Sequence, residues 1–200
     1  VDASRYLPAE HAMLVSDSSR FFRDAPAGLG RFGPVNRADR QEYAKLVSRQ
    51  VSSGKVCLLD KAAGGGQIFA VGKRGTNKLR EVWHGQRVSL AAPRPPKPPG
   101  LASPSSLIDL EASEARPYYM SKRDGRCLFD QLSCPTSLSR FFCRPPVLLH
   151  DLVHVGTLPM FDIRRAYCGS VPLSQLSAVY PASRVWPMGF SWSSYVAQCC

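Results

Sequence analysis

The middle of the chain concentrates basic side chains that could hold phosphate groups. Residues 55–104 carry nine Lys or Arg and two acids, and so supply seven of the eleven net positive charges of this 200-residue protein. Lys73 and Arg80 flank a polar, glycine-containing stretch between two apolar runs, which predicts a β-hairpin with a basic tip. Such a segment attracts polyanions, most commonly nucleic-acid backbones and secondly acidic membrane surfaces, although charge alone also fits a solvated surface.

Other candidate sites lack the spacing that their chemistry needs. The triplet Gly64–Gly66 is not followed by Gly-Lys-Ser/Thr, so it does not predict a phosphate loop. No Gly-x-Ser-x-Gly elbow marks a nucleophile. Five residues are of types that bind zinc, namely Cys127, Cys134, Cys143, His150 and His154. Their spacing does not include the Cys-x2-Cys pair that is typical of structural zinc sites.

Three blocks of sequence between residues 67 and 198 form a more specific combination. The basic hairpin comes first, and Asp124 follows with an aromatic residue, Phe129, five positions later. The third block is Pro187-Met188-Gly189-Phe190-Ser191-Trp192, with Gln198 nine residues after Gly189. In this order the blocks resemble the fingers hairpin and two successive palm motifs of a reverse transcriptase, an RNA-directed DNA polymerase, from a divergent retroelement.

The resemblance implies an α+β fold, a partial right-hand polymerase with a fingers hairpin and an incomplete ferredoxin-like palm. It implies Mg²⁺ as cofactor, with an RNA or DNA template–primer and a deoxynucleoside triphosphate as partners. The implied roles are catalytic metal ligation by Asp124, a position under the sugar for Phe129, and contacts to nucleotide and template by Gly189 and Gln198. Lys73 and Arg80 would grip the triphosphate, because phosphoryl transfer needs a cationic clamp beside its metal ions.

A second aspartate is the alternative to Asp124. Asp162 also has an aromatic residue, Tyr167, five positions later, and its apolar-Asp-apolar start is similar to the family's first palm motif. Only 27 residues separate Asp162 from Gly189, which is barely enough for a strand, a helix and a return strand, whereas Asp124 leaves 65. Asp124 is therefore favoured, and Asp162 stays open.

The chain departs from the family pattern in one respect that matters for activity. A complete palm needs an aromatic-x-Asp-Asp turn, and no Asp-Asp pair occurs anywhere in the sequence. One carboxylate cannot hold two Mg²⁺ ions. We therefore expect a fragment of a longer polymerase that binds nucleic acid weakly and adds no nucleotides by itself.

The elements that must position these residues follow from local patterns. Residues 36–53 predict a helix, with Asn36 or Asp39 as cap and Gly54 as stop, and 56–59, 67–71 and 79–83 predict strands. Six prolines make 93–104 an extended connector. Residues 105–115 predict a short helix, while 118–120 and 127–129 are strand candidates. The predicted divisions are an N-terminal helical extension (1–54), a hairpin with connector (55–104) and a partial palm (105–200).

Composition bears on membrane insertion, on the state of the cysteines and on the alternative functions. The longest uncharged run, Ala166 to Ser183, contains Gly169, Pro172 and Pro181, so no membrane-spanning segment is predicted. Seven cysteines without a disulfide-module spacing favour reduced thiols in a nuclear or cytoplasmic setting. Two alternative functions stay open: a non-catalytic basic nucleic-acid-binding module, and an interaction domain that docks through its proline-rich connector.

Overall fold

The computed structural model describes residues 1–23, 29, 32, 35, 37–72, 74–77, 79–97, 113–117, 119 and 127–200. These residues form a mixed α+β structure with two small antiparallel sheets. The α-helices, in chain order, are α1 Ala9–Ser16, α2 Ser18–Phe21, α3 Arg40–Ser52, α4 Gln86–Ala91, α5 Leu128–Gln131, α6 Thr136–Ser139, α7 Leu149–His154, α8 Met160–Ala166 and α9 Ser193–Cys199. The strands are β1 Val56–Leu59, β2 Gln67–Gly72, β3 Leu79–His84, β4 Val147–Leu148 and β5 Ala178–Ser183.

The larger sheet has the strand order β1-β5-β4, with β5 in the centre. Val56 pairs with Ser183 and Leu59 with Tyr180, so the first strand of the chain pairs with the last. The smaller sheet is the hairpin of β2 and β3, whose register runs from Gln67 opposite His84 to Gly72 opposite Leu79.

Two large hydrophobic cores and a small cluster of Cys57, Cys143 and Ala182 hold the described elements together. The first, which we call the aromatic core, is rich in large rings, among them Phe21, Phe22, Trp83, Phe142, Trp186, Phe190 and Trp192. The second, the aliphatic core, packs α3, α7 and α8 on the larger sheet through residues such as Val47, Leu58, Leu152, Ile163 and Val179. The aromatic core draws residues from 1–54, 55–104 and 105–200, the three predicted segments.

Several predicted elements are confirmed. The helix predicted at 36–53 is a short 3-10 turn, Arg37–Asp39, followed by α3. Asp39 takes the N-cap position without a side-chain capping bond, and Gly54 ends the helix region with φ +74°. The predicted strands at 56–59, 67–71 and 79–83 correspond to β1, β2 and β3.

Two predictions in the third segment are corrected. The strand expected at 127–129 is instead the single turn α5, which follows Cys127 in a left-handed conformation with φ +51°. The residues around Asp162 form the helix α8, although the first palm motif that they resemble would lie on a strand. Residues 98–104, 105–112, 118 and 120 lie outside the described residues, and 113–116 form a tight turn, so Ala115 does not continue a helix.

The described start of the connector is attached to the C-terminal part of the chain. The Trp192 indole Nε1–H donates a hydrogen bond of 2.7 Å to the carbonyl oxygen of Pro93. None of the helices in the described part of the chain has the length and apolar character that crossing a bilayer requires.

Candidate nucleic-acid interface

The outward side of the β2–β3 hairpin carries an exposed combination of apolar and basic side chains. Side chains alternate along a strand, so directly paired residues share one side of the sheet. Phe69 lies opposite Val82 and Val71 lies opposite Arg80, while His84 occupies the same side at the base of the hairpin. Phe69 is 49% exposed and Val71 44% exposed. We call these five residues the hairpin face.

The inward side of the hairpin is anchored in the protein interior. Trp83 is buried in the aromatic core, and its indole Nε1–H donates a bond of 3.1 Å to the carbonyl oxygen of Cys143. Ile68, directly opposite Trp83, packs against both cores. Because an isolated two-stranded hairpin is marginally stable in water, this anchorage is what makes the hairpin face a fixed surface.

Glu81 lies on the inward side of β3 and organises a polar network. The Arg144 guanidinium, 2% exposed, donates from Nε to Glu81 Oε1 at 3.0 Å, and the Gln50 amide donates to Glu81 Oε2. Lys55 Nζ lies 3.7 Å from Glu81 Oε2. Burial opposes ionisation of this carboxyl, yet Arg144, Lys55 and the Gln50 hydrogen bond together hold the pKa of Glu81 below its ordinary value.

The same network reaches the helical turn that carries Phe129. Lys55 Nζ also lies 2.9 Å from Asp130 Oδ1, and Asp130 follows Phe129 in α5. Lys55 therefore connects β3 to α5, two regions that are distant in the chain. Sequence reasoning missed this connection; the signal that could have found it is the position of Glu81 two residues before Trp83, on the same side of β3.

The Gly189 loop lies at the edge of β3. Gly189 has φ +106°, and a Cβ atom built there would be 2.7 Å from the carbonyl oxygen of Trp83. Successive carbonyls of a strand point to opposite sides, and that of His84 faces Gly66 on the β2 side, so the Trp83 carbonyl points to the free edge. The glycine thus permits a close backbone approach between two of the three predicted blocks.

Further contacts hold this loop against the element that follows the hairpin. The Ser191 N–H donates to Ser89 Oγ on α4 at 3.3 Å, and the Ser193 hydroxyl donates to the Pro187 carbonyl at 2.7 Å. Gly189 is exposed, as is the neighbouring Met188. The loop therefore extends the accessible surface beside β3.

Arg80 and the Gly189 loop lie near opposite ends of β3. Arg80 precedes Trp83 by three residues, a rise of about 10 Å along β3. Its side chain is exposed on the hairpin face, near the tip, whereas the Gly189 loop meets the base. Lys73, the other predicted clamp residue, lies outside the described residues.

The remaining predicted site residues fall into separate places. Phe129 is half-buried on α5, which packs against α9, the helix that carries the exposed Gln198. Asp162 lies on α8, beside α3 and β1, in the part of the molecule built on the aliphatic core. Asp124 lies outside the described residues.

No metal centre is assembled by the described residues. Among them, no three His, Cys, Asp or Glu side chains are grouped so that they could hold an ion. Cys134 and Cys143 are buried, and burial raises the pKa of both thiols, in the case of Cys134 to about 12. The described part of the chain thus supplies no carboxylate cluster of the kind that Mg²⁺ requires.

Comparison with known proteins adds no relative: no family model matches this chain, and no curated protein or solved structure is significantly similar to it.

Proposed function

We propose that this protein binds nucleic acid through the hairpin face, as the fingers and partial palm of an RNA-directed DNA polymerase. The observation that carries the proposal is the exposed pairing of Phe69 and Val71 with Val82 and Arg80 on an anchored two-stranded ribbon. Apolar and aromatic side chains offer surfaces on which bases stack, and a guanidinium binds phosphate oxygens bidentately.

Charge supports the same partner. The protein carries a formal net charge of +11, and the hairpin belongs to the segment that holds most of it. Arg74 in the hairpin tip and Arg87 on α4 are exposed like Arg80. A polyanion near this surface would release counterions on binding, which favours association at low salt.

The polymerase part of the proposal rests on the order of the three blocks and on the packing of the Gly189 loop against β3. In this proposal Arg80 and Lys73 hold the triphosphate of a deoxynucleotide, and Gly189 and Gln198 contact the template–primer. Asp124 is the proposed Mg²⁺ ligand, with Asp162 as the alternative. Because the sequence has no Asp-Asp pair, we expect this chain alone to bind substrates without extending a primer.

Alanine substitutions on the hairpin face test the binding proposal. Phe69→Ala should weaken binding of a fluorescent 20-nucleotide single strand by roughly 5- to 160-fold, because stacking contributes about 1–3 kcal/mol per base. Arg80→Ala should weaken it by about 10-fold or more, because a hydrogen bond to a charged group contributes about 1.5–3 kcal/mol. Fluorescence anisotropy at fixed salt measures both affinities.

Matched controls lie on α8. Phe161 is an exposed phenylalanine, 73% accessible, and Arg164 is an exposed arginine, so Phe161→Ala and Arg164→Ala make the same chemical changes away from the hairpin. Equal effects at the control and hairpin positions would refute the hairpin face as the interface.

A non-catalytic nucleic-acid-binding module is the second candidate, favoured by the net charge of +7 that residues 55–104 carry. The two candidates differ in nucleotide binding. A photoreactive deoxynucleoside triphosphate should crosslink to residues 72–80 if the hairpin belongs to a polymerase, and unlabelled triphosphate should compete. Crosslinking of the single strand alone, with no competed nucleotide label, would favour the module.

A further inference from the structure

A pair of thiols and a guanidinium meet at the outer edge of the larger sheet. Tyr167, directly after α8, forms a parallel bridge with Leu58 of β1, and the Cys168 N–H donates to the Leu58 carbonyl at 2.9 Å. These bonds fix the segment after α8 along β1. Cys168 itself is exposed.

Arg184 is positioned over this edge by its own backbone bonds. It directly follows β5, its N–H donates to the Lys55 carbonyl at 2.9 Å, and its carbonyl accepts from the Cys134 N–H at 2.9 Å. From this anchored position the guanidinium Nη2 donates to Cys168 Sγ at 3.4 Å. Cys168 is therefore an exposed residue whose sulfur lies beside a positive charge.

Cys57 supplies a second thiol beneath the first. It is buried and precedes Leu58 in β1, the residue whose carbonyl accepts the Cys168 N–H, and the electrostatic fields of Cys168 and Arg184 act on its thiol. Burial raises the pKa of the Cys57 thiol, which keeps it protonated near neutral pH. The two thiols thus differ in access, with one open to reagents and the other enclosed.

We propose that Cys168 is a site of reversible oxidation by hydroperoxides and that Cys57 resolves the oxidised form as a Cys57–Cys168 disulfide. In the first step the Cys168 sulfur attacks a peroxide oxygen. The S–O bond forms, the O–O bond breaks, and the alcohol or water leaves with the thiol proton. Sulfur is oxidised to sulfenic acid and the peroxide is reduced.

In the second step the Cys57 sulfur attacks the Cys168 sulfur. The S–S bond forms, the S–O bond breaks, and the hydroxyl group leaves as water with the proton of Cys57. Two thiols and one hydroperoxide give one disulfide, one alcohol and one water. Arg184 assists the first step, because a cationic donor stabilises negative charge on sulfur and on the departing oxygen.

Mass spectrometry of the full chain tests the proposal. After reduction, brief treatment with hydrogen peroxide, alkylation and digestion, the peptides of Cys57 and Cys168 should be joined, and a thiol reductant should separate them. The exposed thiols of Cys127 and Cys200 provide a comparison within the same molecule. Oxidation of Cys168 no faster than at these two positions would overturn the proposal.

Two variants separate the roles of the neighbours. In the Cys57→Ser variant, oxidation of Cys168 should stop at the sulfenic acid, which a 1,3-diketone probe traps on Cys168. Arg184→Gln should slow oxidation of Cys168 by about 10-fold or more relative to Cys127, the scale of a lost charge-assisted hydrogen bond. Arg184→Lys should restore part of the rate, and circular dichroism checks that each variant is folded. An unchanged rate in Arg184→Gln, or no trapped sulfenic acid in Cys57→Ser, contradicts the mechanism.

Discussion

Glu81 connects several elements of this molecule through its carboxylate. Its carboxylate accepts bonds from Gln50 and Arg144 and lies near Lys55, which in turn contacts Asp130. Because Arg144 is almost completely buried, removal of its partner would leave a guanidinium without a counter-charge in the interior. Glu81 thereby links the exposed hairpin to α3 and α5.

We predict that Glu81→Gln lowers the free energy of unfolding by about 2–4 kcal/mol, since breaking one side of a buried ion pair leaves the other charge uncompensated. Urea denaturation followed by circular dichroism measures the change. Glu10→Gln is the matched control, because the Glu10 side chain is 78% exposed and its loss should cost less than about 0.5 kcal/mol. Equal losses in both variants would show that the network does not stabilise the fold.

The lowered pKa of Glu81 also predicts how stability depends on pH. Burial raises this pKa, but the charges of Arg144 and Lys55 and the hydrogen bonds from Arg144 and Gln50 lower it, and the net result is a pKa below the ordinary value of 4.5. A carboxyl with a lower pKa in the folded state stabilises the fold above its unfolded pKa, and this contribution is lost as pH falls below about 4.5 toward the folded pKa.

The comparison that isolates Glu81 is the difference between the wild type and Glu81→Gln across pH 2 to 7. The stability difference should be largest near neutral pH and shrink below about pH 4.5. In that range Glu81 of the wild type takes up a proton and loses its charge, whereas the glutamine of the variant does not titrate. Unfolding free energies at each pH measure it. A difference that is constant over this range would mean that the Glu81 charge does not contribute.

At the scale of elements, the packing of the Gly189 loop against β3 is a close backbone contact. We predict that Gly189→Ala lowers the free energy of unfolding by about 1–3 kcal/mol, because its φ of +106° and the nearby Trp83 carbonyl both disfavour a side chain. Thermal or urea unfolding measures the loss. Gly72→Ala is the control, since a Cβ at Gly72 would meet no atom within 4 Å. A larger loss at Gly72 than at Gly189 would contradict the proposed packing.

Local patterns predicted the elements whose contacts lie close in the chain. The apolar spacing of Tyr43, Val47 and Val51 defined α3, and alternation defined β2 and β3. In these cases the buried positions are visible within a window of a few residues.

Elements that depend on distant partners could not be predicted in the same way. β5 contains Pro181, which ordinarily argues against an interior strand, yet β5 lies between β1 and β4. β4 pairs only with Ala178 and Val179, and at Pro181 the carbonyl oxygen accepts a bond from the Arg144 N–H instead. The helix α8 likewise packs on α3 and β1, two elements that are distant from it in the chain.

The sequence predicted the exposed basic hairpin of the candidate site but not the buried network around Glu81. A count of basic residues found the hairpin tip, because surface charge is a property of composition and local spacing. The Lys55 contacts to Glu81 and Asp130 join residues that are far apart in sequence, and only the folded chain brings them together. The packing of Gly189 on Trp83 is of the same kind.

At the scale of the whole molecule, two charge-matched double variants separate a local interface from general electrostatic attraction. Arg80→Ala/Arg87→Ala and Arg164→Ala/Arg165→Ala each lower the net charge of +11 by two, but only the first pair lies at the hairpin and α4.

For the wild type, we expect the logarithm of affinity for single-stranded nucleic acid to fall with the logarithm of salt at a slope of about −3 to −4, which corresponds to about four to six neutralised phosphates. The first pair should reduce the magnitude of that slope by about 1 to 1.5, since each lost phosphate contact removes about 0.7, while the second pair should leave it unchanged. Anisotropy titrations from 50 to 300 mM salt, roughly the range over which counterion release dominates, measure the slopes. A slope near zero for the wild type would exclude phosphate binding by this protein, and equal changes in the two variants would assign the attraction to net charge and not to the hairpin face.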